Sequence, residues 1–402
     1  MTEMLDLPNP SAAGPYVDDQ PFLGTAANPG PIRPQDLVYF VLNVGNADTQ
    51  LLVLPEYEGV RHMVIVDIGA VHGGKLWRLI NDLRNPPDGT TGLLTDASRV
   101  KLLVATHPHA DHVGGIPNFL TNAGELLAGG EIWDPAFYHS TGSWHSMMAW
   151  LQDHPEVART HPTAGTRRHI GNVAVTALSP SIRLRNNFDT YGVHINNSSI
   201  SLMVEFPIAR VFTGDDDTFA TGPQDRRVQR QKLLLGGDAQ TMSWSHVDVD
   251  FPTLKGDWSP EQRLLGLAFG GEPLSAHVFK VPHHCSKYGL NLEMVERIDP
   301  SFSLISCHHG TTGHAFPHAL ALNQLREAKH ATASSGDEYR RDWDPRMNII
   351  TTDERFENGD RLGSIAMVLT PTGRNRRLFR LQDVHNQRID PARLVTTLQK
   401  LP

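Results

Sequence analysis

Cysteine is nearly absent: the 402 residues hold two, Cys285 and Cys307. That excludes a disulfide scaffold and leaves too few thiolates for a cysteine-based metal site. No apolar run approaches the roughly 18 residues a membrane helix needs, so no membrane partner is expected. The first residues (MTEMLDLPNPSAAGPYVDDQPF) lack a basic stretch followed by an apolar one. No secretory signal is read there, and a cytoplasmic location is the default expectation. Positive charge is not in excess either. A net charge of −8 argues against non-specific capture of a polyanion by the chain as a whole.

What the chain does have is histidine, 21 residues of it, several in tight pairs. The densest group is Thr106-His107-Pro108-His109-Ala110-Asp111-His112-Val113-Gly114-Gly115. It directly follows Val100 to Ala105, a continuous apolar run that suits a buried strand. Three imidazoles and a carboxylate at a strand end have little reason to crowd there unless something compensates them. Imidazole nitrogen and carboxylate oxygen are the donors a borderline ion such as zinc prefers. His107 and His109 are two residues apart, so in extended backbone they project to the same side. Asp111 and His112 can then face a second metal across the turn.

The apolar pattern predicts further strands at 37–42, 50–54, 62–67, 173–178, 200–206, 232–235, 276–281 and 302–306. It predicts helices at 75–83, 144–151, 260–267 and 319–328, and a closing hairpin from 363–370 and 377–381. Strands come in pairs early and alternate with helices later, which points to an α/β chain of stacked sheets with helices outside. Residues 1–36 read as a flexible or loosely packed arm, 37–330 as the body with an insertion near 214–231, and 331–402 as a C-terminal extension closing the fold.

Several elements besides the histidine motif fall in a telling order. Val41-Leu42-Asn43-Val44-Gly45-Asn46-Ala47-Asp48 precedes Val64-Ile65-Val66-Asp67-Ile68-Gly69. Asn196-Asn197-Ser198-Ser199, Leu234-Leu235-Gly236-Gly237-Asp238-Ala239 and Lys280-Val281-Pro282-His283-His284-Cys285-Ser286 follow. Together these resemble the motifs of the metallo-β-lactamase superfamily, and within it the branch that includes the soluble hydrolase domain of ComEC-type DNA-uptake proteins. The resemblance covers about residues 37–330.

It implies an αββα four-layer sandwich holding two divalent metal ions, zinc first and manganese as the alternative. His107 and His109 would bind the first ion, Asp111 and His112 the second, and Asp238 would bridge both. His284 is favoured to complete the second site, with His283 kept as a candidate. Many relatives supply a third histidine to the first ion, and His194 is the nearest candidate here. Cys285 stands where the superfamily has glycine and reads first as a small packing residue. Asp215, in a second Thr-Gly-Asp sequence, ranks below Asp238.

The implied activity is that of a binuclear hydrolase, a phosphodiesterase or nuclease, in which a metal-bridging hydroxide attacks. Asp111 could orient that hydroxide. Lys280 or His314 could neutralise a phosphate or protonate a leaving group. Two basic runs (Arg226, Arg227, Arg230 and Lys232; Arg374, Arg376, Arg377 and Arg380) could track a nucleic acid, although solvated faces are the commoner use of such runs. The rival readings are a lactone or ester hydrolase of the same fold, or a binding or regulatory module with a degenerate metal site.

Overall fold

The computed structural model describes residues 22–23, 30, 32–69, 73–86, 90–136, 139–186, 193–207, 231–253, 272–308, 315–328, 349–354, 363–371, 377–384 and 388–397. The chain first lays down β1 (Leu37–Val41), β2 (Thr49–Val53), β3 (Met63–Ile68), β4 (Val100–Val104), β5 (Glu131–Trp133) and β6 (Ala158–Thr160). It continues with β7 (Arg167–Ile170), β8 (Val173–Ser179), β9 (Ser201–Phe206), β10 (Gln231–Leu235), β11 (Val278–Lys280), β12 (Phe302–Ile305) and β13 (Ile349–Thr351). It closes with β14 (Ser364–Leu369), β15 (Arg377–Val384) and β16 (Arg388–Thr397).

These strands form a nine-stranded sheet, β16-β15-β14-β1-β2-β3-β4-β5-β6, and a seven-stranded sheet, β13-β12-β11-β10-β9-β8-β7. The predicted closing hairpin is the antiparallel pair β14 and β15, and β14 lies antiparallel to β1. The end of the chain thus returns to complete the sheet its beginning started.

Alternation within each strand explains the layering. Leu37, Tyr39 and Val41 of β1 share one apolar cluster with Leu202 and Val204 of β9 and Leu233 and Leu235 of β10, so this cluster fills the space between the sheets. Val38 and Phe40, the intervening residues, belong to a second cluster with helix α1 (Gly73–Arg84) through Leu76, Leu79, Ile80 and Leu83. That i, i+3, i+4, i+7 spacing is the apolar stripe that makes the segment a helix and turns it onto the sheet. On the far side, Met203, Leu234, Phe279 and Ile305 pack against Trp244, Met294, Val295, Leu322 and Leu325. Those residues come from helices Thr241–Asp250, Leu292–Ile298 and Ala319–Glu327. Helix, sheet, sheet, helix is the layer order. With both faces of each sheet covered, the central strands carry apolar residues on both faces, as in Leu51-Leu52-Val53 of β2 and Leu233-Leu234-Leu235 of β10.

The predicted helix at 260–267 and the insertion at 214–231 lie outside the described residues, apart from Gln231, which opens β10. In the N-terminal segment, Phe22 is fully buried and packs edge-on against Phe40 and Phe379, at centroid distances of 5.7 and 5.1 Å.

Candidate metal centre

The site lies where strands from both sheets end. From the first sheet, β4 runs into Thr106 and His107, and His109 then caps a one-turn helix, Ala110–Val113, that carries Asp111 and His112. From the second sheet, β10 ends in Gly236 and Gly237. A Cβ on Gly237 would lie 2.5 Å from Ser199 Oγ and 2.9 Å from the Ile200 carbonyl, and its φ is +54°. Only glycine suits both conditions, and the turn it permits delivers Asp238, whose N–H donates to Ser199 Oγ at 2.9 Å. β11 leads into a 3₁₀ turn at His283–Cys285, where three consecutive non-glycine residues have φ of 50°, 52° and 65°. Left-handed backbone is costly for such residues. Here bonds on either side hold it, from His283 N–H to the Gly237 carbonyl at 2.9 Å and from Ser286 N–H to the His283 carbonyl at 2.8 Å.

These loops bring together three sets of donor atoms, each set lying within 4.8 Å of one another: Asp111, His112, Asp238 and His284; His107, His109 and Asp238; and Asp48, Asp67 and His112. Asp238 belongs to the first two. Its Oδ1 is 3.1 Å from His112 Nε2, and its Oδ2 is 3.5 Å from His107 Nε2. His107 Nε2 and His109 Nδ1 are 3.1 Å apart, and His284 Nε2 is 3.4 Å from Asp111 Oδ2. Buried atoms as polar as these normally have hydrogen-bond partners. His112 Nε2 and Asp238 Oδ1 are both buried and face each other as an ion pair at 3.1 Å. Imidazole and carboxylate donors gathered this closely, with mainly one another for partners, fit one divalent cation in each of the two sets that share Asp238.

The surroundings orient the donors. Asp67 Oδ2 lies 2.7 Å from His112 Nδ1 and accepts the Thr106 hydroxyl at 2.7 Å, while Oδ1 accepts the Thr106 N–H at 2.8 Å. A carboxylate behind a ligating imidazole fixes the ring and raises its basicity. His284 Nδ1 is placed the same way, 2.9 Å from the Ser306 carbonyl. Asp67 lies in a sequence motif that assigns it no role, and no sequence motif contains Ser306. The signal for Asp67 was a lone aspartate at the end of the apolar strand β3.

The electrostatics follow from this crowding. Burial pulls the His112 pKa down, but Asp238, Asp67 and Asp111 outweigh it and hold the metal-free imidazole well above its ordinary value. Burial opposes ionisation of Asp238 and Asp111, yet His112, helped by His107 at Asp238 and by His284 at Asp111, keeps both carboxyls below the usual range. His107 and His109 are pushed down, chiefly by burial. Burial pushes the Cys285 thiol up to about 12, so this side chain packs as a neutral group.

Several expected residues are placed differently. Lys280 does not face the cleft: it is fully buried, with Nζ 2.8 Å from Asp48 Oδ1. Strand patterning could not show which polar residue of an apolar strand end turns inward. Lys232 is buried and donates to the Glu272 carbonyl at 2.8 Å, and Arg380 is buried and donates to the Thr351 carbonyl at 2.7 Å. These two members of the basic runs therefore serve packing. His283 stays outside these donor sets. Its Nε2 is 3.8 Å from Asp238 Oδ2 and 3.4 Å from Asn196 Nδ2, and its Nδ1 is 3.3 Å from Gln240 Nε2. His194 falls in the short helix Val193–Asn197, with its side chain outside the described part. His314, Asp215, Arg226, Arg227, Arg230, Arg374 and Arg376 lie outside the described residues altogether. Among the described residues, the set around His107 has three donors against four in the set around Asp111.

No protein-family model and no curated protein matches the chain. Among solved structures, the metallo-β-lactamase-fold protein YhfI from Bacillus subtilis is 9% identical, with a TM-score of 0.35 over 73% of this chain and 93% of its own. Human tRNase Z, short form, is 13% identical, with a TM-score of 0.33 over 67% and 92%. CmlA, a diiron β-hydroxylase from Streptomyces venezuelae, is 11% identical, with a TM-score of 0.32 over 75% of this chain and 51% of its own, so the chain spans about half of that protein. None is close enough to lend this chain its chemistry. By its own layers the chain is a mixed α/β, four-layer αββα protein, and the solved structures it resembles are metallo-β-lactamase-fold proteins.

Proposed function

We propose that the protein is a binuclear metal-dependent hydrolase whose substrate is a phosphodiester. One observation carries the reading: two donor sets share the buried carboxylate of Asp238, whose two oxygens face His112 Nε2 at 3.1 Å and His107 Nε2 at 3.5 Å. His107, His109 and Asp238 would hold one ion, and Asp111, His112, Asp238 and His284 the other. Two divalent cations so held, zinc or manganese, would acidify a water and polarise the scissile ester. The protein's own part is positioning. Asp238 joins the sets, Asp67 and the Ser306 carbonyl aim His112 and His284, and the buried surroundings exclude bulk water. Asp111 is an open donor, with its side chain 39% exposed against 1% for His284. It therefore faces the side from which substrate enters. Its carboxyl, held ionised by His112 and His284, is suited to accept a hydrogen bond from an attacking water.

The phosphodiester class is supported by the order of the sequence motifs. The test is hydrolysis of bis(p-nitrophenyl) phosphate by the purified protein with zinc or manganese, beside Asp111→Ala/His112→Ala. Metal-dependent turnover that the variant loses supports the reading, and nucleic acids would be tried next. Two bound metals without turnover would move the substrate class to lactones and other esters. Neither turnover nor stoichiometric metal would favour a binding module.

A further inference from the structure

Lys280 and Asp48 form an ion pair that the chemistry above does not use. Both side chains are fully buried. Lys280 Nζ lies 2.8 and 2.9 Å from the two Asp48 oxygens and donates to the Val281 carbonyl at 3.2 Å. Stability is a weak reason for such a pair, because replacing buried opposite charges with apolar groups is often neutral or stabilising. Its position is more informative. Asp48 immediately precedes β2 of the first sheet, and Lys280 ends β11 of the second. The pair therefore spans the sandwich at the end where the two halves of the metal centre meet.

Each partner is tied to a donor. Asp48 N–H donates to the Asp111 carbonyl at 3.0 Å, and the Asp48 carbonyl accepts Gly69 N–H at 2.9 Å. Lys280 stands four residues before His284, with Val281 N–H bonded to the Leu304 carbonyl at 2.9 Å. A second link runs beside the first. Ser306 Oγ donates to the Ala47 carbonyl at 2.5 Å, and the Ser306 carbonyl lies 2.9 Å from His284 Nδ1. The turn at Ala47 and Asp48 thus touches the helix that carries Asp111 directly and His284 through one residue.

We propose that the Lys280–Asp48 pair is a clamp across the sandwich that sets the separation between Asp111 and His284 and so the affinity of the ion they would share. It is a positioning device, since neither side chain reaches solvent or substrate. The inference rests on the metal-centre reading.

The test is calorimetric titration of zinc into the full-length, metal-free protein, with metal analysis for stoichiometry. The double variant Lys280→Met/Asp48→Asn removes both charges at similar volume, so the fold is expected to survive. The clamp leaves the first ion unchanged and weakens the second, identified as the event lost in His284→Ala, by about ten- to a hundredfold. Lys280→Arg keeps the charge but lengthens the link. It weakens the same event, and it decides the matter if the double variant does not fold. Wild-type affinity for the second ion in the folded double variant overturns the clamp, as does wild-type affinity in Lys280→Arg where that variant decides. Wild-type protein that takes up fewer than two ions overturns the metal centre itself, so the two failures are distinct.

Discussion

His112 shows how much of the site turns on single atoms. Its Nδ1 rests on Asp67 at 2.7 Å and its Nε2 faces Asp238 at 3.1 Å. Asp67→Asn keeps the shape but removes the anion behind the ring. Such supporting groups are worth about 10- to 100-fold in metal affinity, so we expect that loss at the ion held by Asp111 and His112, read from zinc titration. Unchanged affinity would make Asp67 a packing residue. The raised pKa of His112 has a further consequence. In the metal-free protein the three carboxylates that surround the imidazole favour its protonated form. A ligand must be neutral, so metal binding expels that proton. Affinity therefore rises with pH until His112 is deprotonated in the metal-free state as well. Calorimetry at pH 7 in two buffers of different ionisation enthalpy should show net proton release, and binding heats independent of buffer would contradict it.

At the scale of elements, close approaches of backbone to backbone build the centre. A Cβ on Gly69, just after β3, would lie 2.6 Å from Ala47 Cβ and 2.8 Å from the Asp111 carbonyl. Backbone cannot swing aside as a long side chain can. Gly69→Ala is expected to cost about 1–3 kcal/mol, in the range of overpacking, and to weaken metal binding, because it presses on the helix that carries Asp111. Gly74→Ala, in α1, is the control. Its nearest neighbour would be Asn118 Oδ1 at 3.6 Å, ordinary contact, and a helix gains about 0.5–1 kcal/mol from that change. Urea unfolding of the two variants checks both signs. Equal effects would show that the approach at Gly69 does not matter. Helices and strands of this kind were legible in the sequence where periodicity was strong, as in α1 and β4. The pairing of Asp67 with His112, 45 positions away, was not, because local pattern carries no information on which loops meet. The burial of Lys280 is hidden from the sequence for the same reason: its partner Asp48 is 232 positions distant.

The described residues form two sheets closed against each other by apolar faces, with Phe22 packed on one of them and β14, β15 and β16 paired into it. Phe22 sits between Phe40 of β1 and Phe379 of β15. Composition alone reads residues 1–36 as a flexible or loosely packed arm, because two aromatics, Tyr16 and Phe22, among prolines and glycines give no periodic signal. Phe22→Ala is expected to cost about 3–5 kcal/mol, the usual range for a buried phenylalanine, seen as a lowered urea midpoint. A change below about 0.5 kcal/mol, the scale of surface substitutions, would mean that the contact does not persist in solution. The two sheets also divide the centre between them, His107 to His112 from one and Asp238 and His284 from the other, so the sandwich must close before any ion can be shared. The most direct measurement is therefore the number of zinc ions bound per chain after dialysis, in the wild type and in Asp238→Ala. Two ions in the wild type, with both lost or greatly weakened together in the variant, is the expected result. Fewer than two in the wild type, or a variant that still holds two, would contradict a centre built around one shared carboxylate.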